Sequence, residues 1–277
     1  CLERFLGVRT AAPARIRRKL DDTKNRTVGR RFQHYGALRG IGIATAFHNA
    51  GGAKIHRSDG CGTILKLDDY ARATLITGAS EIGQGIDAVL CQVVSEELGI
   101  PTFDVTIVAH DSAIGPWDVG VHASRTTFIA GNSARRAAIK AREQILDVAA
   151  SEANVGSEAL DLRAGHVVQA NDGVAVVKLD QLLRSMHFAS EDAELVMTTD
   201  YYEPPSEPED ADHKGDMSAA YAHAAYVAEI EVDTWTGGVR VKKITVAQDV
   251  GRVINALGLE GQIEGGIAMG LGYGLSE

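Results

Sequence analysis

Hydrophobic residues change period repeatedly along the chain, and each change marks an element. Residues 39–48 alternate small and apolar side chains and run into Gly51-Gly52, the pattern of a buried strand. Two further strand-like runs, 61–67 and 70–77, flank Asp68-Asp69 and predict a hairpin. Ile86, Val89, Leu90, Val93, Val94 and Leu98 then recur at helical spacing until Gly99-Ile100-Pro101 stops the helix. Residues 105–109 read as a strand. A long helical pattern follows over 126–150, with a face of Ala130, Ala134, Ala137, Ala138 and Ala141 small enough for close packing on a sheet. Two short strands about an Asn171-Asp172-Gly173 turn and a short helix over 179–186 come next. The acidic, proline-rich residues 203–216 predict an exposed loop or linker. Beyond it, 221–232 and 239–250 alternate around Thr234–Gly238, the clearest hairpin in the chain. The glycine-rich apolar run 257–274 predicts a buried helix. The fold class is α+β, with mixed sheets and packed helices.

Composition narrows the functions this fold can serve. The net charge of −9 argues against nucleic-acid binding through bulk charge, while leaving local amides free to hold an anion. Residues 1–35 are basic, with Arg15, Arg17, Arg18, Lys19 and Arg30 among them, and read as a leading or linking segment. The remainder, 36–277, reads as one domain with a possible division near 203–216. The three cysteines form no CxxC pair, so neither a structural zinc nor an iron–sulfur cluster is indicated, and the histidines show no HxxxH or HxH pairing. No apolar run approaches the ~20 residues needed to span a membrane. The cytoplasm is the default location.

Three stretches could carry chemistry. Residues 78–85, GASEIGQG, form a glycine-dense turn between a strand and a helix start, where backbone amides can approach an anion. Gln84 offers that turn both a donor and an acceptor. The second stretch, 118–132, brings Ser124, Arg125, Thr126 and Thr127 to a loop-to-helix junction, a set suited to phosphate or a polar heterocycle. An ordinary N-cap at Ser124 explains the same junction equally well. The third runs from Gln248 through Asp249 and Asn255 to 260–266, EGQIEGG. There Asn255 can cap a helix, and Gln262 and Glu264 lie in an apolar segment where buried polar groups need partners, from the fold or from a ligand.

In this order the stretches resemble the xanthine oxidase/aldehyde oxidoreductase family of molybdenum hydroxylases, in its large, molybdopterin-binding subunit. EIGQG at 81–85, ASRTT at 123–127 with Gly131-Asn132, DVGRVIN at 249–255 and EGQIEGG at 260–266 carry the resemblance, which covers most of 36–277. The Ser124-Arg125 pair is reminiscent of the 4-hydroxybenzoyl-CoA reductase branch, so the resemblance implies either water-derived hydroxylation of an aldehyde or aromatic heterocycle or reductive dehydroxylation of an aromatic CoA thioester.

The resemblance implies part of the second molybdenum-cofactor-binding domain, with the metal held by a pterin dithiolene and not by side chains. It implies cofactor contacts from Gly83, Gln84 and Gly85, from Ala123, Ser124, Arg125 and Thr126, and from Gln262. The cofactor would be molybdenum-molybdopterin, its cytosine dinucleotide form included, with iron–sulfur clusters and FAD on partner subunits or domains. The family's F-R-x-x-G segment is absent from this chain, and the G-x-G-E segment carrying its general-base glutamate lies beyond residue 277. No catalytic residue is therefore assigned. The chain is expected to be a portion of a longer polypeptide and inactive by itself; the competing reading is a non-catalytic assembly or scaffold domain.

Overall fold

A computed structural model describes residues 36–52, 58–188 and 193–277. The basic segment 1–35 lies outside the described residues. The chain divides into two compact units. One comprises His48–Tyr221 with Arg252–Ala268; the other comprises 36–47, Ala222–Gly251 and Met269–Glu277.

The first unit is built on a four-stranded sheet of β4 (Val105–Val108), β3 (Ala73–Thr77), β2 (Cys61–Leu67) and β8 (Met197–Tyr202), in that order. Strands β2 (Cys61–Leu67) and β3 (Ala73–Thr77) form the expected antiparallel hairpin. Asp68 closes its turn by accepting from the amides of Tyr70 and Arg72 at 3.0 and 2.9 Å. From β3 the chain passes through helix α1 (Ile86–Leu98) to β4 (Val105–Val108), which returns parallel to β3. A parallel return needs such a crossover, which puts the helix on a face of the sheet. Helix α2 (Thr126–Ala153) packs against α1, β2 and β8 (Met197–Tyr202). Its five predicted alanines are fully buried. Opposite them, Leu65 and Leu75 face the helices as a register pair. A buried Thr63–Ser133 hydroxyl pair, 2.7 Å apart, satisfies the two polar groups caught at this seam.

A small antiparallel sheet, β5 (Leu160–Arg163), β6 (His166–Gln169) and β7 (Ala175–Lys178), precedes helix α3 (Leu179–Phe188). It has three strands where the alternation predicted two. All three strands are four residues long, too short for period two to fix their number.

The second unit holds β1 (Ala37–Asn49), β9 (Tyr221–Asp233) and β10 (Val239–Asp249) in the order β1-β9-β10. The β9–β10 hairpin is antiparallel, with Val232 opposite Val239. The turn is fixed by Asp233, which accepts from the amides of Trp235 and Thr236. Two expectations are corrected here. Strand β1 was expected to be buried, yet none of its residues is, and the same holds for β9 and β10. Helix α4 (Ala256–Leu275) was also expected to be buried and likewise buries no residue. Alternation and apolar content identify which face wants covering, whereas burial requires a second layer, which is a property of tertiary contacts. No helix among the described residues is long and apolar enough to cross a membrane.

Candidate cofactor cradle

The first turn, between β3 and α1, folds around one carboxylate. Glu81 Oε1 accepts from the amides of Gly83 and Gly85 at 2.7 and 2.9 Å, and Oε2 from that of Asp87 at 3.3 Å. Those of Gly85, the N-cap, and Asp87 are among the amides a helix start leaves without intrahelical partners, and its dipole favours a negative charge there. The chain thus places its own anion where the sequence suggested an external one. Partial burial raises the Glu81 pKa, but the amides of Gly85, Gly83, Asp87 and Ile86 together outweigh it and hold the carboxyl below its usual value. Gly83 and Gly85 adopt φ of +105° and +83°, and the space where their Cβ atoms would stand is open. Glycine is required at both for backbone conformation, not for room.

Glu81→Gln should lower stability by about 1 kcal/mol at neutral pH, the scale of a lost helix cap. A carboxyl with a depressed folded pKa stabilises above its unfolded pKa and loses that contribution as pH falls through the folded value. Thermal midpoints of the wild type and Glu81→Gln are therefore expected to converge in acid.

Gln84 is held by the same turn. Its Oε1 accepts from the Ile82 amide at 2.6 Å, and its Nε2 donates to the Ser80 carbonyl at 2.9 Å. This pair fixes the amide's orientation, because a flip would set donor against donor. One Nε2 hydrogen and one Oε1 lone pair are left over. His110, at φ +67°, supports the turn from outside, its Nε2 accepting from the Glu81 amide at 2.7 Å.

The second loop leads into α2. Arg125 stands at its N-terminal boundary and is fully buried. Its Nε donates to Asp59 Oδ1 at 2.7 Å, one terminal nitrogen donates to the Asp118 carboxylate at 3.0 Å and to Gly120 O at 2.8 Å, and the other to Asp59 O and Gly60 O at 2.5 and 2.9 Å. That accounts for all five guanidinium donors. The side chain expected to meet a phosphate instead donates inward. Ser124 is not the N-cap: the cap position is Arg125, without a side-chain cap bond, and Ser124 is exposed. Ala123 and Ser124 both take left-handed backbone, φ +47° and +51°, costing roughly 1–2 kcal/mol each for residues with a Cβ. The Ala123 carbonyl is tied to the Gly51 amide at 2.9 Å. Thr126, the first helical residue, is buried, whereas Thr127 is exposed.

Two carboxylates share this one guanidinium. Burial dominates at Asp59 and raises its pKa despite the opposing charge and hydrogen bond of Arg125. The buried Cys61 thiol beside them is pushed up to about 12, by burial first and by Asp118 second, so it offers no thiolate at neutral pH. Asp59 was not among the residues singled out from sequence. Ser58-Asp59-Gly60 has the composition of a turn, and its partner Arg125 is 66 residues away.

The two loops are neighbours. A Cβ added to Gly78 would stand 2.3 Å from Pro116 O and 2.9 Å from the Asp118 amide. Strand ends and loop meet again where Cys61 bridges Asp118. In the third stretch, Asn255 caps α4 as expected, accepting from the Gly258 amide at 3.0 Å. Gln262 and Glu264, which would have needed partners if buried, are exposed. No burial ties Gln262 to the two turns.

The residues of the two turns fit a large polar heterocycle with an anionic arm. The open sides of Gly83 and Gly85, the spare amide capacity of Gln84 and the exposed hydroxyl of Ser124 are neutral donors and close-approach surfaces, while the charged groups are turned inward.

Known proteins share the sequence pattern and the fold of this chain. The sequence pattern of the molybdopterin cofactor-binding domain family matches residues 15–277. The chain is 34% identical over 239 residues to a subunit of the probable xanthine dehydrogenase of Bacillus subtilis, covering 86% of this chain and 30% of the relative. It is 30% identical over 248 residues to the gamma subunit of the 6-hydroxypseudooxynicotine dehydrogenase complex of Paenarthrobacter nicotinovorans, covering 90% of this chain and 30% of the relative. The chain thus spans less than a third of the length of these relatives. Its fold is similar to quinoline 2-oxidoreductase from Pseudomonas putida, with a TM-score of 0.78 at 23% identity over 98% of this chain and 33% of that one. With a family match of that extent on a fold of that likeness, this chain belongs to the molybdopterin cofactor-binding domains of the xanthine oxidase family.

Proposed function

We propose that this region forms one wall of the molybdenum-cofactor site of a hydroxylase-type oxidoreductase. The reading is carried by one observation: Gln84, half-buried and locked in orientation by Ser80 and Ile82, keeps an unused N–H on a turn whose glycines leave open space. A preset amide donor suits an oxo or pterin acceptor, since no rotamer freedom is lost on contact. Gly83 and Gly85 let the pterin approach the backbone. Ala123, Ser124 and Thr126 present the start of α2 to the cofactor's phosphate or nucleotide, where the first helical amides lack intrahelical acceptors. Arg125 belongs to this set through the backbone it supports. Gln262 would approach the molybdenum ligands in the assembled site.

When bound, the cofactor supplies the two-electron redox chemistry, and the protein contributes orientation and electrostatics. In the whole enzyme a substrate C–H, on an aldehyde or an aromatic heterocycle, would become C–OH with oxygen from water. Two electrons and two protons are released, and the electrons leave through iron–sulfur clusters and FAD on partner subunits or domains. The two relatives described above, named as dehydrogenase subunits, support this reading.

The Glu81 carboxylate already filling the helix-start amides favours a second reading, a scaffold that has kept the fold without the cofactor. The pterin content of the wild type separates the two, and Gln84→Ala tests the contact. In the whole polypeptide, produced in cells that make the cofactor, it should reduce pterin content per folded chain by about tenfold, the scale of a lost site partner. Unchanged pterin content in Gln84→Ala would remove Gln84 from the site.

A further inference from the structure

The largest fully buried side chain among the described residues is a cation that touches no solvent, and it lies immediately after the two strained residues of the second turn. Building on the cofactor reading above, we infer that Arg125 is a positioning residue, whose guanidinium holds Ala123 and Ser124 in left-handed backbone so that Ser124 and the first amides of α2 face the cofactor.

The geometry supports this in three ways. First, the contacts of Arg125 span the segments that define the turn: Asp59 and Gly60 before β2, and Asp118 and Gly120 at the head of the loop. The planar fork fixes the distance between those segments and the helix start in a way a single ammonium could not. Second, Asp118 also accepts from the Gly120 amide at 2.7 Å, so the loop is bound at both its side chain and its backbone. Third, the far side of the turn is pinned by Gly51, whose amide holds Ala123 O and whose missing Cβ leaves room for Asp59, since an added Cβ would lie 2.4 Å from Asp59 Oδ2. Non-glycine residues persist in the left-handed region when their surroundings over-determine them. Here those surroundings converge on Arg125.

The alternative role, a direct phosphate ligand, makes a different prediction for the same variants. The test uses the whole polypeptide isolated with its cofactor and follows loss of pterin from the folded protein during dialysis. Arg125→Lys keeps the charge and loses the fork; it should release pterin about tenfold faster, as removal of outer supporting groups does. Adding Ala123→Gly should restore most of that retention, because glycine adopts φ near +47° without a Cβ penalty. Retention in Arg125→Lys equal to the wild type overturns the inference. So does a loss that Ala123→Gly fails to restore, since a lost ligand or a general loss of stability would not be repaired by relaxing one φ angle. If Arg125→Lys yields no folded protein, Asp118→Asn, which keeps one carbonyl acceptor, is compared with and without Ala123→Gly by the same criteria. A folded wild type isolated without pterin would instead overturn the cofactor reading itself, and the inference with it.

Discussion

Arg125→Met is expected to lower the unfolding free energy by about 3–5 kcal/mol, read as a shift in the urea midpoint. The replacement has similar bulk, so the effect is electrostatic. Asp59 and Asp118 have side chains 4% and 2% exposed, and without the guanidinium both carboxylates stay desolvated and lose their ion-pair partner. Removing one partner of a buried network costs more than the network contributes, because the remaining charges stay desolvated. The exposed pair Arg163–Asp161 provides the comparison, with side chains 54% and 25% exposed. Arg163→Met should cost no more than about 1 kcal/mol. The pH dependence has a definite sign. Asp59 has a raised pKa, so the folded state binds the proton more readily than the unfolded one. This group's contribution to stability therefore falls as pH rises from the ordinary aspartate range through the folded pKa. In Arg125→Met the opposing cation is gone, and that decline should extend to higher pH.

Gly78→Ala should be comparably disruptive, by about 3 kcal/mol, through sterics alone. The added methyl would lie 2.3 Å from Pro116 O, 2.7 Å from Asp118 Cβ and 2.9 Å from the Asp118 amide. Two of those neighbours are backbone atoms and cannot swing aside, so the first turn and the second loop must part. Gly83→Ala is the control: nothing lies within 4 Å of its Cβ position, and its cost arises only from φ at +105°. Thermal unfolding of the two variants side by side should show the larger loss at Gly78, with amide exchange increased at 117–120 in that variant alone.

Much of the first unit was legible because its cues are local. The alanine face of α2 predicted close packing, and each of those alanines is fully buried. In the second unit the β9–β10 hairpin followed from alternation, and in the first the Asn255 cap followed from the chemistry of a short amide side chain. Burial of β1 and α4 was misjudged, since their apolar residues state a preference that tertiary contacts must fulfil. The site was legible as positions and not as roles. EIGQG and ASRTT do come to one end of the sheet, but Glu81 filling its own helix start and Arg125 turning inward depend on partners brought together by folding. The Asp59–Arg125 bond joins residues 66 apart, and no periodicity encodes it.

We propose that the turns at 81–85 and 123–126 form a cradle for the molybdenum cofactor. This is tested most directly by the molybdenum and pterin content of the whole wild-type polypeptide, purified from cells that make the cofactor and co-expressed with the proposed iron–sulfur and FAD partners. About one molybdenum and one pterin per folded chain is the expected result. A folded protein that carries neither would contradict it.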